Sequence, residues 1–189
     1  MHWNCSRLSV PVRNTGLALG LVALSCASVP AQEASTALVK ISLERQAGLG
    51  RGSSYRVEMD GGGLVRFTGL GGLLHGWTDS MRVSPDTVRA LAAEFERAGF
   101  FDLDTAYVRG TAGCGPSVFD ASTATLAVTW HGRTKRVVHY RGCLGPDSGP
   151  SSDSLRERLT HPPGVLGRLA ALASRVDAVA PVNTHWVKD

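Results

Sequence analysis

Two stretches of the sequence alternate apolar and polar residues on both sides of a glycine-containing turn. The first, residues 53–69, reads SSYRVEMDGGGLVRFTG and places Tyr55, Val57 and Met59 on one side of an extended chain. Glycine accepts the positive φ angles that tight hairpin turns require, so DGGG is a strong turn signal between the two halves. The pattern therefore predicts an antiparallel hairpin with one apolar face.

The second stretch, residues 122–140, reads STATLAVTWHGRTKRVVHY and has the same form, with HGR as its turn. A further alternating segment, ALVKISLER, occupies residues 37–45 and predicts one more strand ahead of the first hairpin. The chain between the two stretches holds a glycine-rich segment, GLGGLLHGWTDS, followed by a helical pattern. These segments predict about five strands in two hairpin groups.

Two helices are predicted from apolar residues that recur at helical spacing. Ser84 is a natural N-cap and Pro85 suits the first helical position of a helix that ends before Gly99. Its apolar stripe consists of Val88, Leu91, Ala92 and Phe95. The second helix is predicted in residues 164–180, with Val165, Leu169, Leu172 and Val176 on one face. We therefore predict an α+β domain, with an antiparallel sheet of about five strands in two hairpin groups and two helices packed on one face.

The first 31 residues have the features of a signal peptide. Arg7 and Arg13 form a basic region, an apolar run covers residues 15–29, and Val29 and Ala31 suit the pockets of a signal peptidase. We predict a signal peptide over residues 1–31 and a single domain over residues 32–189, with its core at about 38–180. The predicted location is periplasmic or secreted.

A second processing route is open, because ALSC, which ends at Cys26, resembles the lipobox of bacterial lipoproteins. Acylation of Cys26 would anchor the mature chain to a membrane, and it is the only membrane contact that we predict. Removal of the leader also lowers the formal net charge from +4 to +2, because Arg7 and Arg13 are lost and no acid is. The remaining cations are scattered, which does not favour a nucleic-acid partner.

Cys114 and Cys143 are the two cysteines left after cleavage at residue 31, and cysteines in an oxidising compartment usually pair. We predict a disulfide between them, with two buried free thiols as the alternative. The glycines at 48, 50 and 52 do not predict a nucleotide site, because G-x-G-x-G leads into a strand and no lysine follows it. A phosphate-binding loop would need the free N–H groups of a helix start.

The order of these segments resembles a bacterial family, the domain of unknown function 6438. The resemblance spans roughly residues 39–186 and rests on the following motifs: ISLERQ, YRVEMDGGGLVRFTG, FERAGFFDLDTAY, Asp120, WHGRTKRVVHY, and a closing helix with Asp177 and a final Trp186. Members commonly carry C-x-G-x-C-P-x-Y between the first two strands, whereas Gly48 and Gly52 stand at the cysteine positions here. If those cysteines cross-link the loop in relatives, the Cys114–Cys143 pair substitutes for that cross-link. If they do chemistry, this chain lacks it.

The candidate functional residues are Asp120, His75 and His131. Asp120 precedes a hairpin strand and matches a recurrent acid of the family that the chain resembles, although capping of a turn also explains an aspartate there. No catalytic motif, metal-ligand spacing or cofactor motif occurs, so no catalytic residue, metal or cofactor is predicted. Two hypotheses follow: a non-catalytic extracytoplasmic module that binds a cell-envelope protein or glycan, or a hydrolase or metal-dependent enzyme in which these three residues converge.

Overall fold

A computed structural model describes residues 38–49, 52–146 and 164–180 of the chain. The predicted signal peptide and the possible lipidation site Cys26 lie outside the described residues. The domain boundaries at 32 and 189 also lie outside them, so these expectations stay predictions.

The described residues form one seven-stranded sheet in the order β4-β3-β2-β1-β6-β7-β5. The strands are β1 Lys40–Gln46, β2 Ser54–Asp60, β3 Leu64–Gly71, β4 Thr78–Arg82, β5 Ala106–Tyr107, β6 Thr123–Trp130 and β7 Arg133–Tyr140. Neighbouring strands are antiparallel except β5 and β7, which are parallel. Strand β1 pairs with both β2 and β6, and it thereby joins the two predicted hairpins into one sheet.

The prediction of an α+β fold is confirmed, but the number of about five strands is wrong, because β4 and β5 were not recognised. All five residues of β4 are exposed, so no alternation of apolar and polar side chains marks it as a strand. Strand β5 has only two residues, which is too short for any periodic pattern.

Strand β4 lies at one edge of the sheet, and its Asp79 side chain forms a hydrogen bond with one of the outward-facing backbone N–H groups of that edge. Trp77 accepts a hydrogen bond from Gly69 of β3, and Val83 donates one to Gly63 just before β3. The alternate residues 78, 80 and 82 therefore direct their backbone groups away from β3. The carboxylate of Asp79 accepts a hydrogen bond from the Ser80 N–H at 2.7 Å. The central outward donor of this edge therefore already has a partner.

Helix α1 comprises Pro85–Arg97 and helix α2 comprises Gly164–Val179. Ser84 caps α1 as predicted, since its hydroxyl accepts a hydrogen bond from the Asp86 N–H at 3.2 Å. The predicted stripe of α1 is buried in full. The buried face of α2 differs from the prediction in that Leu166 and Ala173 are buried and Val165 is only half-buried.

The core is a single cluster that contains the buried side chains of both helices and of one sheet face. The largest fully buried members are Phe67, Phe95, Phe100, Ile41, Leu43, Leu126, Leu166, Leu169, Val57, Val65, Val88 and Val128. The alternate strand positions form the open face, where the described side chains of β1, β2, β3 and β6 are half-buried or exposed.

The two ends of the sheet are built differently. The hairpin end contains the turn at residues 61–63 and the two-residue turn His131–Gly132, whose φ angles of 48° and 74° fit a type I′ hairpin. The loop end contains the described residues of three connections: 47–49 with 52 and 53, 72–77, and 108–122. These longer connections position the candidate site.

Candidate functional site: the loop end of the sheet

The β1–β2 connection touches both neighbouring loops through glycine backbone. A Cβ atom built on Gly48 would lie 1.9 Å from the carbonyl oxygen of Asp120, so only glycine permits this contact. On the other side, a Cβ atom on Gly72 would lie 2.6 Å from the carbonyl oxygen of Gly52. Gly48, one of the glycines that resemble a phosphate loop in the sequence, and Gly72 therefore allow three loops to pack backbone against backbone.

The loop at 108–122 is fastened to the chain that follows β7. Cys114 and Cys143 confirm the predicted pairing, with their sulfur atoms 2.00 Å apart and their Cα atoms 4.7 Å apart. The Tyr140 hydroxyl donates to the Val118 carbonyl at 2.9 Å and accepts from the Ala121 N–H at 3.1 Å. This loop is thus held at several points along its length.

The loop at 72–77 is anchored on both sides of its tip. The Gly69 N–H donates to the Trp77 carbonyl at 2.7 Å, and the Trp77 ring lies 5.0 Å from the ring of Phe67. Leu74 is buried against the core, whereas its neighbour Leu73 is fully exposed. The exposed Leu73 is therefore flanked by residues that are anchored to the sheet and the core.

Each of the three loops presents one large apolar side chain to solvent. Leu49 is 84% exposed, Leu73 101% and Phe119 71%. The Arg109 guanidinium lies 3.8 Å from the centre of the Phe119 ring, in a cation–π contact. Leu49, Leu73 and Phe119 were not predicted from the sequence as candidate residues, although each is a large apolar residue within a glycine-containing loop.

The structure does not bring the predicted candidates together. Asp120 lies at the loop end, exposed, with a φ of 63° that aspartate tolerates better than most residues. His75 lies in the 72–77 loop, beyond the intervening β1–β2 connection, with its Nδ1 3.3 Å from the Leu70 carbonyl oxygen. His131 forms part of a turn at the hairpin end. In the part of the chain that is described, no group of three His, Cys, Asp or Glu side chains is placed to hold a metal ion.

A polar cluster beside the loop end fixes α2 on the sheet. The Asp177 carboxylate accepts hydrogen bonds from Arg45 Nε at 2.9 Å and Nη2 at 2.6 Å, and from the Tyr55 hydroxyl at 2.8 Å. Burial and then the charge of Asp177 raise the pKa of Tyr55 above its usual value. The signal in the sequence was Arg45 itself, a charge in the apolar register of β1.

His139 is the one buried polar residue among the described residues, and it lies on β7 opposite Ala124. Burial, with smaller contributions from the charges of Arg141 and Arg45, lowers the pKa of His139 to about 4. The ring is therefore neutral at physiological pH. It serves as a core residue.

The open face carries charges that neutralise one another across strands. Arg56 pairs with Glu44 at 2.7 Å, and the hydrogen bond from Arg56 lowers the pKa of Glu44. Glu58 lies opposite Arg66 in the register of β2 and β3. A depression of about 480 Å³ lies on this face, with Ser42 among its lining residues. The pairing of charges is typical of a solvated sheet surface.

The sequence matches the family described as domain of unknown function (DUF6438) over residues 39–158, so the chain belongs to that family. The match begins at the residue expected from the motifs but ends before α2, whereas the resemblance was expected to extend to about residue 186. No curated protein matches the chain. Among the described residues, no helix has the length and apolarity that crossing a bilayer requires.

Proposed function

We propose that this chain is a non-catalytic extracytoplasmic module of the bacterial cell envelope and that its loop end is the binding surface. The observation that carries the proposal is the exposure of Leu49, Leu73 and Phe119 on three loops packed against one another. Loops that a rigid scaffold positions carry a disproportionate share of binding residues, and each of these three loops presents its large apolar side chain to solvent.

The contacts that hold the described residues of these loops support a binding role. A loop that is free to move loses conformational entropy when it binds, and this loss weakens the complex. Here the Gly48–Asp120 contact, the Cys114–Cys143 pair and the Trp77 anchor limit that loss before any partner arrives. The exposed side chains are therefore presented in a preorganised form.

The extracytoplasmic location is supported by two independent features. The first 31 residues have the composition of a signal peptide, with Cys26 as an alternative acylation site. The Cys114–Cys143 pair lies at bonding distance, and disulfides persist mainly in oxidising compartments.

Relatives that the chain resembles carry cysteines at the positions of Gly48 and Gly52. The geometry favours the interpretation that those cysteines cross-link the loop in relatives and that other contacts hold it here, rather than the interpretation that this chain has lost a chemical activity. Gly48 has no room for a side chain beside Asp120, and Gly52 has a φ of 120° that suits glycine alone. The loop is held by backbone packing, while the disulfide holds the loop next to it. The alternative function, a hydrolase or metal-dependent enzyme, requires His75, His131 and Asp120 to converge, and no observation favours it.

The proposal is tested in two steps on the chain expressed with its own leader. The intact mass of the exported protein, alkylated without reduction, reports the processing site, any lipid and free thiols together. An unexported chain, or alkylated Cys114 and Cys143, would contradict the extracytoplasmic part of the proposal.

The binding surface is tested with a photo-crosslinking amino acid placed at position 119, at position 73 and, as controls, at positions 66 and 131. We expect crosslinks to an envelope component from positions 119 and 73 only. Position 66 lies on the open face and position 131 at the hairpin end, and both are exposed. Equal labelling from all four positions would refute the loop end as the binding surface.

A further inference from the structure

We propose that the loop end docks on a lipid surface with anionic headgroups and inserts Leu49, Leu73 and Phe119 between the lipids. This inference rests on the proposed function and names its partner. Three observations support it: the shape of the surface, its charge, and the position of the Arg109 guanidinium beside the Phe119 ring.

The shape favours a bilayer over a folded protein partner. The three apolar side chains lie on loops that are neighbours in space. The β1–β2 connection touches the 72–77 loop at Gly72 and the 108–122 loop through Gly48. They are isolated tips, and Leu73 at 101% exposure has almost no neighbouring atoms to form a continuous patch. A protein interface has a close-packed core, whereas lipid chains accept separate side chains without matched pockets.

Two depressions of the described surface lie elsewhere. One is on the open face beside Ser42, and the other lies between the helices beside Glu94 and Arg175. The apolar tips of the loop end are thus separate from these two depressions. Binding by insertion of tips requires no cavity.

The charge at the loop end favours an anionic surface. Arg109 and Arg141 are both exposed there, Arg141 directly after the last residue of β7. Asp120 is the exposed acid of the same loops. The Arg45 cation beside them is already paired with Asp177. The excess of cations is small, which predicts a binding strength that depends on anionic lipid and falls with salt.

The position of Arg109 fits insertion of the neighbouring ring. Its guanidinium lies 3.8 Å from the centre of Phe119. If the ring enters the acyl region, an arginine beside it can extend its charged group to the phosphates while its stem stays apolar. The Arg109–Phe119 pair thus combines an apolar contact with a headgroup contact.

The test is flotation of the protein with vesicles, using a Cys26→Ser chain throughout so that no N-terminal lipid contributes. We expect binding to vesicles of phosphatidylethanolamine and phosphatidylglycerol and much weaker binding to phosphatidylcholine vesicles. L73S and F119S each reduce the vesicle partition coefficient by about tenfold, because each removes one inserting side chain. R109Q weakens binding only to the anionic vesicles.

The matched control is L38S, which removes an exposed leucine just before β1, at the hairpin end. All four positions are exposed, so the melting temperatures should stay close to that of the parent chain and the disulfide should still form. Absence of binding to anionic vesicles, or equal losses from L38S and L73S, would overturn the lipid inference. If crosslinking at position 119 then still captures an envelope protein, the binding proposal stands and only its lipid partner is refuted.

Discussion

The hairpin end and the loop end of the sheet differ in how their connections are held. At the hairpin end, the turns are short and close on themselves: the Asp60 carboxylate accepts from the Gly62 and Leu64 N–H groups at 3.0 and 3.1 Å. Contacts with neighbouring strands there, such as the bond from the Val83 N–H to the Gly63 carbonyl at 2.9 Å, continue the strand pairing. At the loop end, the contacts join residues far apart, such as Gly48 with Asp120 and Cys114 with Cys143.

This difference explains where the molecule can carry a site. A two-residue turn can present only its own two side chains to solvent. His131 adopts in this turn the positive φ angle that the turn requires. Longer loops can present Leu49, Leu73 and Phe119 away from the core, provided that other contacts fix them. The loop end therefore combines exposure with rigidity, and its rigidity is what mutation can remove.

The largest effect is expected from removal of the disulfide. The double substitution Cys114→Ser, Cys143→Ser opens a link across 29 residues. On the chain-entropy model the loss is about 3 to 4 kcal/mol of unfolding free energy, measured by urea denaturation. Hydrogen exchange should accelerate in residues 108–122 and stay slow beside His131–Gly132. Uniform acceleration at both ends would show that the two ends are not independent.

The second effect is acid sensitivity caused by His139. The unfolded chain binds a proton on this histidine near pH 6.5, whereas the folded chain resists protonation down to a pKa of about 4. The contribution of His139 to stability is therefore constant above about pH 6.5 and falls as the pH drops from 6.5 towards 4, by roughly 3 kcal/mol in total. His139→Gln should flatten this part of the stability curve.

The control for His139 is His131→Gln, which exchanges an exposed histidine of the hairpin end. That variant should keep the acid sensitivity of the parent chain. Stability measured by urea denaturation at a series of pH values checks both variants. An unchanged slope in His139→Gln would mean that another group titrates.

The third effect compares two glycines, one at each end. Gly48→Ala places a Cβ atom against the Asp120 carbonyl, so the loops must separate at a cost of about 2 kcal/mol. Gly132→Ala meets no atom within 4 Å but keeps a φ of 74°, which costs about 1 kcal/mol. Only Gly48→Ala should also weaken vesicle binding. Equal effects of both variants on binding would remove the link between loop packing and function.

The sequence predicts those parts of the fold in which neighbours in the chain determine the structure. Alternation marks β1, β2, β3, β6 and β7, and the cap at Ser84 with its apolar stripe marks α1. The edge strand β4 was not predicted because all of its residues are exposed, so apolar and polar side chains do not alternate along it. Pairing of Cys114 with Cys143 was predictable because the predicted leader cleavage leaves those two alone.

The candidate site was predictable only in part. Asp120 was singled out and does lie at the loop end, but its backbone carbonyl makes the contact with Gly48. No rule of local sequence relates residue 48 to residue 120, since their contact depends on the pairing of β1 with β6. Leu49, Leu73 and Phe119 form a group only because the three loops pack side by side, and the sequence does not reveal that packing.

The bond between Asp79 and the Ser80 N–H bears on how copies of this protein behave at high concentration. A free edge strand is a template for cross-β growth, in which one molecule extends the sheet of the next. Here the central donor of the edge is occupied, and the charges of Asp79 and Arg82 would be desolvated by an incoming strand. Crowded copies should therefore resist fibril formation at this edge, and exchange of Asp79 for alanine would remove that safeguard.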